Sequence, residues 1–169
     1  MKEHSDVTDL SRRTLLGSGL LAGIGFFIAA RGTSPAEAAM TFQVTHSAQD
    51  WRRMLRAERY AVLREGHTEH PGSSPLLKEH RRGIFACAGC GLPLFSSATK
   101  FESGTGWPSF WQALPNAVVK RADRSFMMER TEILCRRCGG HLGHVFDDGP
   151  KPTGLRYCMN GLALVFRPA

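Results

Sequence analysis

Cys135-Arg136-Arg137-Cys138-Gly139-Gly140-His141-Leu142-Gly143-His144-Val145-Phe146 decides how the rest of this chain is read. Its first half is a C-x-x-C-G knuckle: two thiolates can face one point, and the glycine permits the tight turn that supports them. A matching knuckle, Cys87-Ala88-Gly89-Cys90-Gly91, precedes it, with 44 residues between the two. Four thiolates from two knuckles, Cys87, Cys90, Cys135 and Cys138, make a closed tetrahedral set for one structural Zn2+ ion per chain. The gap is far wider than in a compact zinc ribbon, so the metal would tie two distant hairpins together. Two disulfides, a thioredoxin-type redox pair and an iron–sulfur centre stand as alternatives. Covalent haem is excluded, because glycine rather than histidine follows each pair.

Outward from the knuckles the chain reads as short strands and turns. Gly83 to Ala86 and Leu94-Phe95 flank the first knuckle; Thr131 to Leu134 and His141 to Phe146 flank the second. Ala117 to Lys120 and Ser125 to Met128 bracket Ala122-Asp123, read as a hairpin turn. Asp147 to Gly154 is a turn-rich loop, and Arg156 to Met159 and Leu162 to Phe166 close the chain as strands. Upstream, Ser47-Ala48-Gln49-Asp50 reads as a helix N-cap, with Trp51, Leu55 and Val62 near one face and Gly66 as the stop. One or two short helices are expected on the outside of a sheet. The class is mainly antiparallel β.

The N-terminus reads as an address. Ser11-Arg12-Arg13-Thr14-Leu15-Leu16 is a twin-arginine pattern, followed by an apolar run of 16 residues, Leu15 to Ala30, and by Ala36-Glu37-Ala38. The run falls below the ~20 residues that span a bilayer comfortably. Residues 1–38 are expected to be a cleaved twin-arginine (Tat) signal and 39–46 a linker. Residues 47–169 are then the folded domain, in the periplasm or otherwise outside the cytoplasm. Folding around a metal before export keeps four thiolates from pairing as disulfides.

Length and composition allow one domain of 169 residues with a net charge of +7. The arginines are dispersed and often sit beside acids, as in Arg64-Glu65 and Glu129-Arg130, so a solvated basic surface is expected rather than nucleic-acid binding.

Four ligands leave Cys158 over, among five cysteines. A leftover thiol is either a small buried hydrophobe or a reactive group. Arg156, two residues away, shares its face in a strand and would favour the thiolate, and His141 and His144 lie on a nearby strand. Tyr60 to Glu65, Lys100 to Phe110, Arg130-Thr131-Glu132, His141 to Phe146 and Gly154 to Asn160 together resemble the methionine-R-sulfoxide reductases, the MsrB enzymes. The likeness covers nearly all of the chain beyond the signal. It implies two antiparallel sheets in a tent-like, zinc-bearing fold with short N-terminal helices.

It also implies reduction of methionine-R-sulfoxide, protein-bound or free; a monomer is expected. Cys158 then aligns with the nucleophile, and His141 and His144 with the catalytic imidazoles. Trp107 and Asn160 align with the substrate pocket, and Arg156 is expected to bind substrate beside them. Many members carry a cysteine where this chain has Thr105. With none here, an external thiol, either a small molecule or a thioredoxin-like protein, is expected to reduce the sulfenic acid. Ser125-Phe126-Met127 replaces a more polar Ser-His-Gly, and Gly161 replaces a usual serine; both are expected at the pocket edge. The competing reading is an inactive zinc-stabilised binding module on the same scaffold.

Overall fold

The first helix among the described residues, α1 (Ala48–Met54), starts where Ser47 accepts the Asp50 N–H on its side chain. Helix α2 (Ala57–Glu65) ends at Gly66, whose φ of 72° is the left-handed conformation of a helix stop. This computed structural model describes residues 40–125 and 128–169. The expected export signal lies outside the described residues, as do Phe126 and Met127.

Among the described residues nine strands follow: β1 (Gly83–Cys87), β2 (Pro93–Ser96), β3 (Lys100–Phe101), β4 (Ser109–Phe110), β5 (Val118–Asp123), β6 (Arg130–Cys135), β7 (His141–Phe146), β8 (Arg156–Met159) and β9 (Leu164–Pro168). They form two sheets, β2-β1-β9 and β3-β4-β8-β7-β6-β5, and every pairing is antiparallel. The expected class and two-sheet plan are therefore found. Among the described residues no helix is long and apolar enough to cross a membrane.

The core sits between the sheets. Phe85 of β1 and Phe95 of β2 meet Phe110 of β4 at ring separations of 4.9 and 4.4 Å, and Phe95 also reaches Tyr157 of β8. Each buried ring contributes on the order of 1.5–3 kcal/mol of apolar burial. Alternation then divides the six-stranded sheet. Phe110, Tyr157, Val145 and Ile133 face the core, and their neighbours Ser109, Cys158, His144 and Glu132 face the other way.

Two readings shift. The turn expected at Ala122-Asp123 is not there: β5 runs straight through both residues and pairs with β6 as far as Asp123↔Arg130. Asp123 stops the strand instead, because its carboxylate accepts the Ser125 N–H at 2.9 Å and the Arg130 guanidinium at 2.7 Å. The described part of the expected linker is docked. Val44 N–H donates to Arg137 O at 2.9 Å, and the Phe42 ring fills the place where Gly139 lacks a side chain.

Candidate functional site

Register builds the site. Arg121, Glu132, His144, Cys158, Ser109 and Phe101 lie directly opposite one another on successive strands from β5 to β3. Residues so paired share a face and stand about 5 Å apart. One row across the sheet therefore gathers a cation, a carboxylate, an imidazole, a thiol and a hydroxyl from stretches of chain 57 residues apart at the extremes, Phe101 to Cys158.

His141 joins that row through an irregularity. Residues three apart in a regular strand point to opposite faces. Here Ile133 pairs with Gly143 and Leu134 with His141, so Leu142 is an extra, unpaired residue. The bulge turns His141 onto the face of His144, with ring centroids 5.5 Å apart. Asn160 pins it: its backbone N–H and its Nδ2 both donate to Leu142 O, at 2.8 and 3.2 Å. Gly143 beside it admits no side chain, since a Cβ there would lie 2.2 Å from Cys158 O.

Each imidazole has a carboxylate. His141 Nδ1 lies 2.6 Å from Glu132 Oε1, and His144 Nε2 lies 2.8 Å from Asp123 Oδ2. Burial opposes ionisation of Glu132, but hydrogen bonds from His141 and Arg121 outweigh it and its pKa falls below the ordinary value. Hydrogen bonds from Ser125, then His144 and Arg130, hold Asp123 well below the carboxylate range. Burial pushes the His144 pKa down despite Asp123. Ionised acceptors require N–H on the facing nitrogens. That leaves His141 Nε2, which is buried without a hydrogen-bond partner, as the free position on that ring. Both imidazoles line a cleft of about 530 Å³ with Asp123, Glu132 and Arg130.

The half-buried Cys158 Sγ lies 3.7 Å from Thr105 Oγ1. Arg156 is on its face, as expected, but its guanidinium forks onto Asp148 at 2.8 and 2.7 Å and stacks on Phe146. Its pKa is raised, chiefly by Asp148 and to a lesser degree by Cys158. Trp107 lines a second cleft of about 300 Å³ with Ser103, Gly104 and Gly106, separate from the cleft of the imidazoles. Asn160 is buried, and both amide atoms are taken by the backbone, Nδ2 on Leu142 and Oδ1 on Glu69 N–H at 3.0 Å. The structure thus spends its side chain on the backbone of Leu142 and Glu69.

Glu69 was not legible in the sequence. Its carbonyl accepts the Trp107 indole N–H at 3.2 Å, and its carboxylate accepts the N–H groups of Gly161 and Leu162, the latter at 2.9 Å. One buried residue so ties the indole loop to the end of β8. The only sequence hint was an acid set between His67 and His70 in a loop. Gly161 lines a cleft with Glu69, Ser74 and Leu162, and packs so closely there that a Cβ would collide with Ser74 Oγ at 1.8 Å.

The four other cysteines converge elsewhere. The first knuckle joins β1 to β2 and the second joins β6 to β7, so the cluster bridges the two sheets. All four Sγ atoms lie within 4.8 Å of one another, with Cys87 to Cys138 at 3.7 Å and Cys90 to Cys135 at 3.5 Å. Thiolates around a tetrahedral ion at ~2.3 Å stand about 3.8 Å apart, whereas a disulfide needs ~2.05 Å. All five cysteines are free thiols, so the disulfide alternative falls. Gly91 and Gly139 take φ of 74° and 69°, the left-handed turn each knuckle requires. The neighbouring sulfurs push Cys90 and Cys135 down in pKa and Cys87 and Cys138 up. Four like groups in one space conflict in this way until a cation is shared among them. Leu63 of α2 and the Cys138 sulfur both close on Gly140, and Arg64 donates to Cys138 O at 2.9 Å.

The molecule is thus a two-sheet β protein with one thiol in a polar row and four more in a knot that could hold a metal ion. The SelR domain matches residues 55–168. A "Peptide methionine sulfoxide reductase MsrB" of Leptospira interrogans is 54% identical over 129 residues, 76% of this chain and 98% of the relative. Proteins of the same name from Agrobacterium fabrum and Bradyrhizobium diazoefficiens are 51% and 54% identical, covering 75% of this chain and 94% and 91% of theirs. The chain belongs to this SelR-domain family, that of the MsrB proteins.

Proposed function

We propose that this chain reduces methionine-R-sulfoxide to methionine, with Cys158 as the attacking sulfur. The observation that carries the reading is the row on the open face of the six-stranded sheet, where the one cysteine outside the metal knot stands opposite His144. Cys158 sulfur attacks the sulfoxide sulfur, and the S=O oxygen takes up a proton, because it leaves poorly as an anion. His141, holding on Nε2 the proton that the Cys158 thiol gives up while its Nδ1–H stays on Glu132, is placed to supply it, and His144 on Asp123 orders the same wall. Methionine departs as the thioether and Cys158 is left as sulfenic acid: one oxygen and two electrons have moved between sulfurs. Two external thiols then restore the Cys158 thiol, giving one disulfide and one water. Trp107 offers an apolar face to the S-methyl group. Arg156 adds positive charge beside the sulfur, and Asn160 acts by fixing the bulge that aligns both rings.

Cys87, Cys90, Cys135 and Cys138 hold zinc, which closes the four thiolates into one structural knot. We further read residues 1–38 as a twin-arginine signal, so that the folded protein acts outside the cytoplasm as a monomer.

Native mass spectrometry with one equivalent of each sulfoxide epimer tests the reading. The R epimer is expected to add about 16 Da at Cys158 and to turn over with dithiothreitol, while the S epimer does neither. An R epimer left untouched by protein with a free Cys158 overturns the proposal.

A further inference from the structure

Where a resolving cysteine would stand, this chain has a chain of hydroxyls. Thr105 Oγ1 lies 3.7 Å from Cys158 Sγ and 2.8 Å from Ser103 Oγ. Ser103 Oγ lies 2.7 Å from Ser109 Oγ, and Ser109 donates to Trp107 O at 3.1 Å. The Thr105 N–H also donates to Ser103 Oγ at 3.4 Å.

The geometry points to a switchable hydrogen-bond relay, Ser109–Ser103–Thr105, that donates to Cys158 when its sulfur is the thiolate; we propose Thr105 as a further catalytic residue. The inference rests on Cys158 being the attacking sulfur. Each hydroxyl has one proton and room to accept, so the relay has two consistent orientations. With Cys158 as thiol, S–H donates to Thr105, Thr105 to Ser103, Ser103 to Ser109, and Ser109 to the Trp107 carbonyl. With Cys158 as thiolate, no proton is left at that end. Three rotations then turn every bond round: Ser109 donates to Ser103, Ser103 to Thr105, and Thr105 to sulfur.

No atom is exchanged and only hydroxyl hydrogens rotate. The change releases one carbonyl contact and adds a charge-assisted bond at the reacting atom, which is the stronger of the two. The Ser103 oxygen accepts the Thr105 N–H in both states, so the loop need not move. Ser109 is buried directly opposite Cys158 in the register, which fixes the far end of the relay.

The test compares wild type with Thr105→Val, Thr105→Ser and Ser103→Ala. Cys158 alkylation by iodoacetamide is followed from pH 6 to 9 by peptide mass. kcat and KM are measured for the R-sulfoxide with dithiothreitol. T105V is expected to be alkylated about tenfold more slowly at pH 7, with kcat lowered in step and KM within about twofold. T105S should return to within about threefold of wild type, and S103A should fall between. A T105V profile like wild type at every pH overturns the relay, as does a T105S loss as large as that of T105V. Should T105V fail to fold, S103A decides: slowed alkylation supports the relay and a wild-type profile sinks it. A wild type that is alkylated but never turns over sulfoxide refutes the reductase reading instead.

Discussion

Five cysteines in one domain meet two fates, and their neighbours explain why. Cys87, Cys90, Cys135 and Cys138 converge within 4.8 Å, three of them buried, with one another's sulfurs as close neighbours. Cys158 faces a hydroxyl, a guanidinium and an imidazole on an open sheet face. Four thiols that crowd one another need a cation and become structure. A lone thiol among donors has somewhere to place charge and can react. The two regions also differ in how they are built: the knot from two local turns, the site from register across six strands.

The sharpest way to break the contrast is to exchange the losses. Cys135→Ser should abolish metal binding and lower the melting temperature by more than about 10 °C, seen by metal analysis and calorimetry. Cys158→Ser should cut R-sulfoxide turnover at least ~1,000-fold and move the melting temperature by less than about 2 °C. If C158S unfolds, or C135S stays folded and metal-loaded, the division fails.

A second substitution asks whether the site can be switched to thiol pairing. Thr105→Cys places a sulfur beside Cys158. One equivalent of R-sulfoxide should then leave the protein about 2 Da lighter as a disulfide, instead of about 16 Da heavier. An unpaired sulfenic acid in T105C would mean that the loop cannot bring position 105 to bonding distance.

Glu69→Gln addresses the bracket behind the site. Its amide offers one acceptor and a donor where two N–H groups converge, so kcat/KM should fall about tenfold with altered Trp107 fluorescence. Metal content should stay at the wild-type level. Loss of metal together with activity would mean that Glu69 supports the whole fold.

The smallest effect is a pH dependence of stability. Burial lowers the His144 pKa, so the folded state resists a proton that the unfolded chain accepts below about pH 6.5. Asp123 and Glu132 are lowered as well, and their contribution holds above the ordinary carboxylate range, about pH 4, and fades below it. Melting temperature should therefore decline gently from pH 6.5 to 5 and more steeply below about pH 4. His144→Gln should flatten only the upper limb; an unchanged upper limb would remove His144 as its cause.

What was legible in the sequence was what is local. The knuckles announced themselves because two thiols and a glycine specify a turn within five residues, and Gly91 and Gly139 adopt it. The first helix start was readable for the same reason, in Ser47 and Asp50. The hairpin was misplaced because Asp123 looks like a turn residue, yet its carboxylate is spent on Arg130 and His144 at the strand's last position. Asn160 looked like a pocket wall, but what it binds, Leu142 and Glu69, is 18 and 91 residues distant. The row itself was invisible, since which residue faces which across strands is settled by long-range packing.

A strand normally shows one face only every other residue, so two rings on the same side sit two or four places apart. The single surplus residue at Leu142 works as a half-step in that gearing and sets the pair at a spacing regular pleating forbids. The spacing is consequently a matter of counting. Straighten the bulge without removing a residue and His141 rotates to the opposite side, with no change in which amino acids do the chemistry. Precision here comes from sheet arithmetic, which needs no lid or mobile loop to assemble it.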